Sequence, residues 1–165
     1  MSTTDKNLEQ EYKDLSHLLS EIIKALPLHL FVKDAADDFK YLYSSPLMKQ
    51  VYGCQSDKVI GKTDFEIFSD LRIAQEYRDM DEKLLQTGKP YKFIEPVADP
   101  NGLLRIMDTS KMLVPRKNKP PYIIGMAWEV TKLKQTEEQL QGFHKRLALA
   151  CQAGHIYPWE WDFIK

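Results

Sequence analysis

Histidines, cysteines and clustered acids are the residues that could do chemistry here, and their placement argues against most of it. His17, His29, His144 and His155 are scattered along 165 residues, and Cys54 and Cys151 form neither a CxxC pair nor a ligand spacing with histidine. A metal ion needs such donors to converge. The acidic run Asp79-Met80-Asp81-Glu82 has a helical setting and reads as a solvated face. No GxSxG, HExxH, P-loop or dinucleotide fingerprint occurs. Carboxylates are plentiful, but no pair stands out in an apolar setting that would shift its pKa toward acid–base work. The expectation is a chain that is not an enzyme.

Bulk properties narrow the choice further. Apolar residues make up 43% of the chain, enough for a real core, and the net charge of -1 leaves no clustered basic face for nucleic acid. No apolar run reaches the roughly 18 residues of a membrane span, and the opening "MSTTDKNLEQEYKD" lacks the apolar centre of a secretion signal. With only two cysteines, a reducing, cytoplasmic setting is expected.

A binding site would then have to be built by the elements, and these are legible. Leu8, Tyr12, Leu15, Leu19, Ile22 and Leu26 step by fours and threes through residues 4–26. That spacing is a heptad seam, suited to pairing with another helix or to lying on the chain's own domain. Pro27 ends it. Residues 28–33 and 39–44 read as two β-strands around the acidic turn 34–38. A helix follows, with Ser45 as its cap, Pro46 in its first turn and Gly53 as its stop. Thr63 and Glu66 make a capping box, with Phe65 and Phe68 pointing inward from the short helix it starts.

Residues 70–87 form the clearest central helix, with Leu71, Ala74, Tyr77, Met80 or Asp81, and Leu84 or Leu85 on one stripe. Strands are expected at 91–97, 103–114 and 122–131, the first two joined by an Asn-Gly turn and the last two by a polar, proline-rich loop at 115–121. A helix then runs from about 131 to 150, with Leu133, Leu140 and Leu147 a heptad apart. The fold class is α+β: an antiparallel sheet with short helices on one face, flanked by N- and C-terminal amphipathic helices.

From 27 to 131 this pattern resembles the PAS domain, a sensory module of signalling proteins, which implies a five-stranded antiparallel sheet. The resemblance rests on "LFVKD" with its acid at Asp34, "YLYSSPLMKQVYG" with Ser45 where the family often has Asn, "DKVIGKTDFEIF", "LLQTGKP", "GLLRIMDTSK" and "EVT". In the last, Glu129 stands for the Asp of the family's Asp-Ile-Thr. The tail "RLALACQAGHIYPWEWD" resembles the opening of a second such domain. The organisation expected is an N-terminal seam helix at 1–26, a PAS domain at 27–131, a linker helix at 132–150 and the start of a second PAS domain at 151–165. The resemblance implies a larger bacterial protein with tandem PAS domains, a sensor histidine kinase being the commonest such parent.

It also implies a pocket between sheet and helices. Haem there would need an axial histidine, and none of the four falls on the central helix; His29, at the start of the first strand, is placed at an edge or rim. The family's photochemical flavin site needs an Asn-Cys-Arg motif, and that region has no cysteine, so the cofactor is left unassigned. On the last strand Ile123, Gly125 and Ala127 turn toward the pocket by resemblance, the two small residues leaving room, while Met126, Trp128 and Val130 turn away. On the long strand the alternation leaves two sets open, Ile106, Asp108, Ser110 and Met112 against Arg105, Met107, Thr109 and Lys111. The resemblance favours the even set, making Asp108 and Ser110 candidate ligand contacts beside Ile106. Phe31, Phe65, Phe68, Tyr77 and Phe93 would line the apolar remainder, or simply fill the core.

The expected function is a sensor that passes a signal through Trp128, Glu129 and Thr131 into the following helix. Thr131 would cap that helix, and Glu129 would pair with Lys132 or Lys33. The seam helix would cover the Trp128 face. Expected partners are a second copy through the flanking helices (Leu8, Tyr12, Leu15, Leu19, Ile22), an output kinase domain in the same protein, and a small-molecule ligand, with no nucleic acid and no membrane within these 165 residues. The alternative is a ligandless module for protein–protein interaction and dimerisation.

Overall fold

A computed structural model describes residues 3–154, which divide after Glu129 into two units. In the first, α1 (Thr3–Ala25) leads into the β1 (His29–Asp34) and β2 (Lys40–Ser44) hairpin. Four helices follow: α2 (Leu47–Tyr52), α3 (Ser56–Val59), α4 (Asp64–Ile67) and α5 (Leu71–Thr87). Then come β3 (Tyr91–Ala98), β4 (Leu104–Arg116) and β5 (Lys119–Glu129). The second unit contains α6 (Thr131–Gly154), which continues through residues 151–154; the rest of the expected second domain, 155–165, lies outside the described residues.

The five strands form one antiparallel sheet in the order β2-β1-β5-β4-β3, as the α+β expectation requires. The chain's last strand therefore lies at its centre, between β1 and β4. Period-2 alternation gives the sheet an inner face carrying Phe31, Met107, Ile123 and Ala127, each 6% exposed or less. These pack with Met48, Val51, Val59 and Leu84 from the helices.

Local chemistry explains the element ends. Glu66 reaches back to accept from the Thr63 N–H (2.8 Å) and hydroxyl (3.0 Å), so the capping box starts α4. Asp70 caps α5 by accepting from Arg72 N (2.9 Å), and Gly88 ends it at φ +65°. Ser45 does not cap α2. Its hydroxyl accepts from Leu30 N at 3.0 Å, tying the start of β1 to the end of β2. The stretch 115–121 is no open loop: β4 runs to Arg116, β5 starts at Lys119, and Asn118 makes the tight turn at φ +57°.

Two helical faces stay bare. On α1, Leu8, Tyr12, Leu15, Leu19 and Ile22 are 47–74% exposed, and Leu26 just past its end is 43% exposed, so the helix does not cover the Trp128 face as expected. On α6, taken by itself, Leu133, Leu140, Phe143 and Leu147 are exposed. Trp128 is half-buried on the sheet's outer face beneath the Lys92 ammonium, 5.4 Å from its ring.

Candidate functional site

Four ionic side chains meet under the helices with at most 2% exposure each. Lys33 on β1 reaches Asp64 at 2.5 Å and Asp81 at 2.7 Å. Lys111 on β4 reaches the other oxygen of Asp81 at 2.5 Å. Tyr41 on β2 donates to the second oxygen of Asp64 at 2.9 Å. Two ammonium groups thus face two carboxylates, which is what lets charges stand in a dry interior. Burial by itself would raise the Asp81 carboxyl; the combined pull of Lys33 and Lys111 outweighs it and holds the group below its ordinary value. Burial lowers the Lys111 ammonium, with Lys33 adding to the effect and Asp81 opposing it. Burial, helped by the Asp64 charge, pushes the Tyr41 phenol well up.

Asp81 was given two places, a solvated acidic face and, as an alternative to Met80, the inward stripe of the central helix. It takes the second, on the buried stripe of α5 between Ala74 and Leu84, where it meets the two inward-facing lysines.

Beside this network lies a cavity of about 20 Å³, room for roughly one water molecule. His29, Phe31, Tyr41, Met48, Tyr52, Phe68, Tyr77, Phe93, Glu95, Thr109 and both lysines line it. Its outer wall is a ladder of rings, Tyr52 to Phe68 at 5.9 Å and Phe68 to Tyr77 at 5.4 Å, both edge to face. Tyr52, Phe68, Tyr77 and Glu95 also line an open cleft of about 420 Å³ on the other side, together with Arg72, Ile73, Glu76 and residues 96–98. Glu95 accepts from Thr109 (2.8 Å) and Tyr77 (3.1 Å), and burial raises its carboxyl despite those bonds. His29 is 2% exposed rather than at a rim. Burial, with the Lys33 charge adding, pushes its imidazole down to about 4, so it is neutral at pH 7. Its Nε2 lies 3.2 Å from the Ser44 hydroxyl, and its Nδ1 has no partner among the described residues.

Of the residues singled out in the sequence, Phe31, Phe68, Tyr77 and Phe93 line this cavity. Phe65 does not; it is 37% exposed beneath the Arg78 guanidinium. The odd set of β4 faces inward, so Thr109 and Lys111 reach the cavity while Ile106, Asp108 and Ser110 take the opposite face. Gly125 and Ala127 face inward but do not line it. The Phe31 ring lies over Gly125, where an added Cβ would come within 1.9 Å of Phe31 Cζ, and Ala127 packs with Val51 and Met107. The room left by the glycine is taken by a side chain of the protein itself.

At the end of β5, Glu129 pairs with Arg105 Nη1 at 2.6 Å, not with Lys132 or Lys33. The same guanidinium holds Asp99 at 3.0 Å, and Asp99 in turn accepts from the backbone of Asn101 and Leu103 in the β3–β4 turn. Lys33 is held in the interior by Asp64 and Asp81. One residue, Val130, separates β5 from α6, and its carbonyl accepts the first helical bond from Lys134 at 2.9 Å. Thr131 is therefore the first residue inside the helix rather than its cap.

Asp64, Tyr41, Tyr52 and Glu95 were missed; Thr109 and Lys111 stood in the set of the long strand that was not favoured, Asp81 was one of two choices on the helix stripe, His29 was weighed only for haem, and Lys33 was named only as a partner for Glu129. A signal existed: the alternation His29, Phe31, Lys33 puts a lysine on the apolar side of a central strand, and Met107, Thr109, Lys111 does the same. Inward lysines call for inward acids on the helices that roof them.

Comparison with known proteins agrees with this architecture. The family model described as the PAS fold matches residues 23–135. The protein y4lL of Sinorhizobium fredii is 29% identical over 144 residues, 86% of this chain and 17% of that protein. A diguanylate cyclase of Vibrio cholerae is 26% identical over 137 residues, 81% of this chain and 42% of that one. The chain thus spans less than half the length of either curated relative. Among solved structures, the Vibrio cholerae VqmA dimer without its target DNA is 22% identical over 72% of this chain and 52% of that one, with a TM-score of 0.62. A structure of VqmA bound to DPO is 22% identical over 70% of this chain and 57% of that one, with a TM-score of 0.59. At such identity these two likenesses speak to the fold. The five-stranded antiparallel sheet, its helical roof and a family match over more than half of the chain lead to one conclusion: the chain belongs to the PAS-fold family of sensory modules.

Proposed function

We propose that this module senses a small molecule in the space between sheet and helices and passes the result from β5 into α6, toward an output domain of a longer protein. The observation that carries this reading is the cavity itself, closed from the open cleft only by Tyr52, Phe68, Tyr77 and Glu95. Side-chain rotation in that wall joins the two spaces. The Arg105 link between Glu129 and the β3–β4 turn gives the end of β5 a fixed hold on the sheet. A ligand acts on such a switch only through different affinities for its two states.

The output is a histidine kinase or a diguanylate cyclase, the second supported by the Vibrio cholerae relative. That VqmA has been solved as a dimer and bound to DPO supports dimerisation and ligand binding here. The bare rows of α1 and α6 supply a surface for a second copy. Among the described residues no helix is long and apolar enough to cross a membrane, and both cysteines are free, which supports a cytoplasmic site of action.

A second reading has an observation of its own. The cavity holds about one water, so the core is complete with no ligand, as a pure interaction module requires. Native mass spectrometry of the purified protein separates the two. A bound small molecule supports sensing, whereas a mass equal to the bare chain across several expression hosts supports the ligandless module. Sedimentation at tens of micromolar tests the dimer, and a monomer there contradicts it.

A further inference from the structure

We propose that Glu95 is a proton-operated switch in the wall between the cavity and the open cleft: ionised, it ties the Tyr77 phenol to β3, and protonated, it hands the hydrogen of that phenol to Tyr52 on α2. The switch belongs to the chain's own wall and goes beyond the sensory reading above, since it needs no guest.

Charge singles out Glu95. Under the helices Lys33 and Lys111 are matched by Asp64 and Asp81. Glu95 is a third acid beside them, and its two oxygens accept from hydroxyl groups, Thr109 of β4 at 2.8 Å and Tyr77 of α5 at 3.1 Å. Two cations and three carboxylates leave one negative charge in excess, and a proton on Glu95 removes it.

The groups that face Glu95 pull both ways. Burial is the largest influence and raises its carboxyl above the ordinary 4.5. The bonds from Thr109 and Tyr77 and the charge of Lys111 work against burial, and the charge of Glu76 on α5 adds to it. Arg72 of α5 lines the cleft beside it. From β1, Lys33 is held by its two acids and His29 is neutral at pH 7. Glu95 lines the cavity and the cleft alike, so a proton can reach it from solvent in the cleft.

Hydrogen bonding gives that proton its effect. The Tyr77 phenol has one hydrogen and two acceptors in reach, Glu95 Oε2 at 3.1 Å and the phenol oxygen of Tyr52. With Glu95 ionised, the charge-assisted bond is the stronger and takes the hydrogen. A proton arriving on Oε2 makes the carboxyl a donor to Tyr77 Oη. The Tyr77 hydrogen then swings to Tyr52 Oη, and the Tyr52 hydrogen turns toward the cleft, which Tyr52 also lines. One proton is taken up and no covalent bond to carbon changes. Tyr52 and Tyr77 are the two ends of the ring ladder through Phe68. The same event therefore ties the ends of the wall together and weakens the hold of α5 on β3.

The test is carbon NMR of the whole chain from about pH 8 to about pH 4, reading the Glu95 carboxyl carbon and the ζ carbons of Tyr52 and Tyr77. Glu95 is expected to titrate with a midpoint above 4.5, and both ζ carbons to shift at that same midpoint. Tyr77→Phe, which removes a donor to the carboxylate, should raise the midpoint. Tyr52→Phe, which removes the acceptor of the relayed hydrogen, should lower it, weakening proton binding about threefold or more. Opposite shifts from two neighbouring phenols are what a relay requires, and burial alone does not give them. Should either variant lose spectral dispersion, the ζ carbons of the unaltered chain decide. A Glu95 midpoint at or below 4.5, a Tyr52 ζ carbon that stays flat through it, or two variants that move it the same way overturns the switch. Each of these results leaves the sensory reading standing, because the mass of a co-purified small molecule tests that reading separately.

Discussion

Lys33 and Lys111 stand on the two strands that flank β5 and meet on opposite oxygens of Asp81, at 2.7 and 2.5 Å. Their backbones pair with Ile123 and Gly125 of β5, so the two ammonium groups and the α5 carboxylate close over the central strand. Removing the shared acid leaves two buried cations competing for Asp64. Asp81→Asn is expected to cost about 3–5 kcal/mol in urea denaturation. Replacing both ends of one pair, Lys111→Met with Asp81→Leu, should cost less than Asp81→Leu alone, since one orphaned charge is removed. A strictly additive result would mean that the pair is not coupled.

His29 makes stability depend on pH. Its imidazole titrates at about 4 in the fold against 6.5 in the unfolded chain, chiefly through burial. Between those values the unfolded chain binds more protons, so stability is full above 6.5 and falls as pH drops toward 4. The loss amounts to about 3 kcal/mol at 1.36 kcal/mol per unit. Unfolding free energies measured from pH 7 to 4 should show this slope, and His29→Gln should flatten it.

The Phe31 ring over Gly125 leaves no space for a methyl group. Gly125→Ala is expected to cost about 1–3 kcal/mol or more by overpacking. Adding Phe31→Leu should recover part of the loss, because the clash is with the ring tip. If the alanine variant is as stable as the parent, the ring does not sit on the glycine.

The sheet was legible because its signals are local: alternation, Asn-Gly, a capping box and glycine stops. All five strands and the central helix follow from them, and the flanking helices from heptads. The site was harder, for two reasons. A charged residue such as Lys111 or Asp81 reads as surface until its partner is known, and that partner is 30 residues away. Glycine at 125 reads as open space, yet Phe31, its cross-strand neighbour, fills it. The aromatic members Phe31, Phe68, Tyr77 and Phe93 could be found because large rings at periodic positions face inward by default.

The Arg105–Glu129 pair is partly solvent-exposed, so its worth lies in position more than in stability. On the sensory reading proposed above, Glu129→Gln should leave the thermal midpoint nearly unchanged while altering signal output in a protein that contains this chain. A large drop in midpoint with normal output would assign the pair a structural role only.

Hydrogen exchange by mass spectrometry, comparing the parent with Lys111→Met, tests most directly whether the interior is tied to the chain's exit strand. Loosening the clamp at Lys111 should speed exchange in β5 at residues 123–129 and in the first turn of α6, while α1 and β2 keep their rates once the change in global stability is allowed for. Faster exchange confined to β4 and α5, with nothing altered beyond Glu129, would contradict the account.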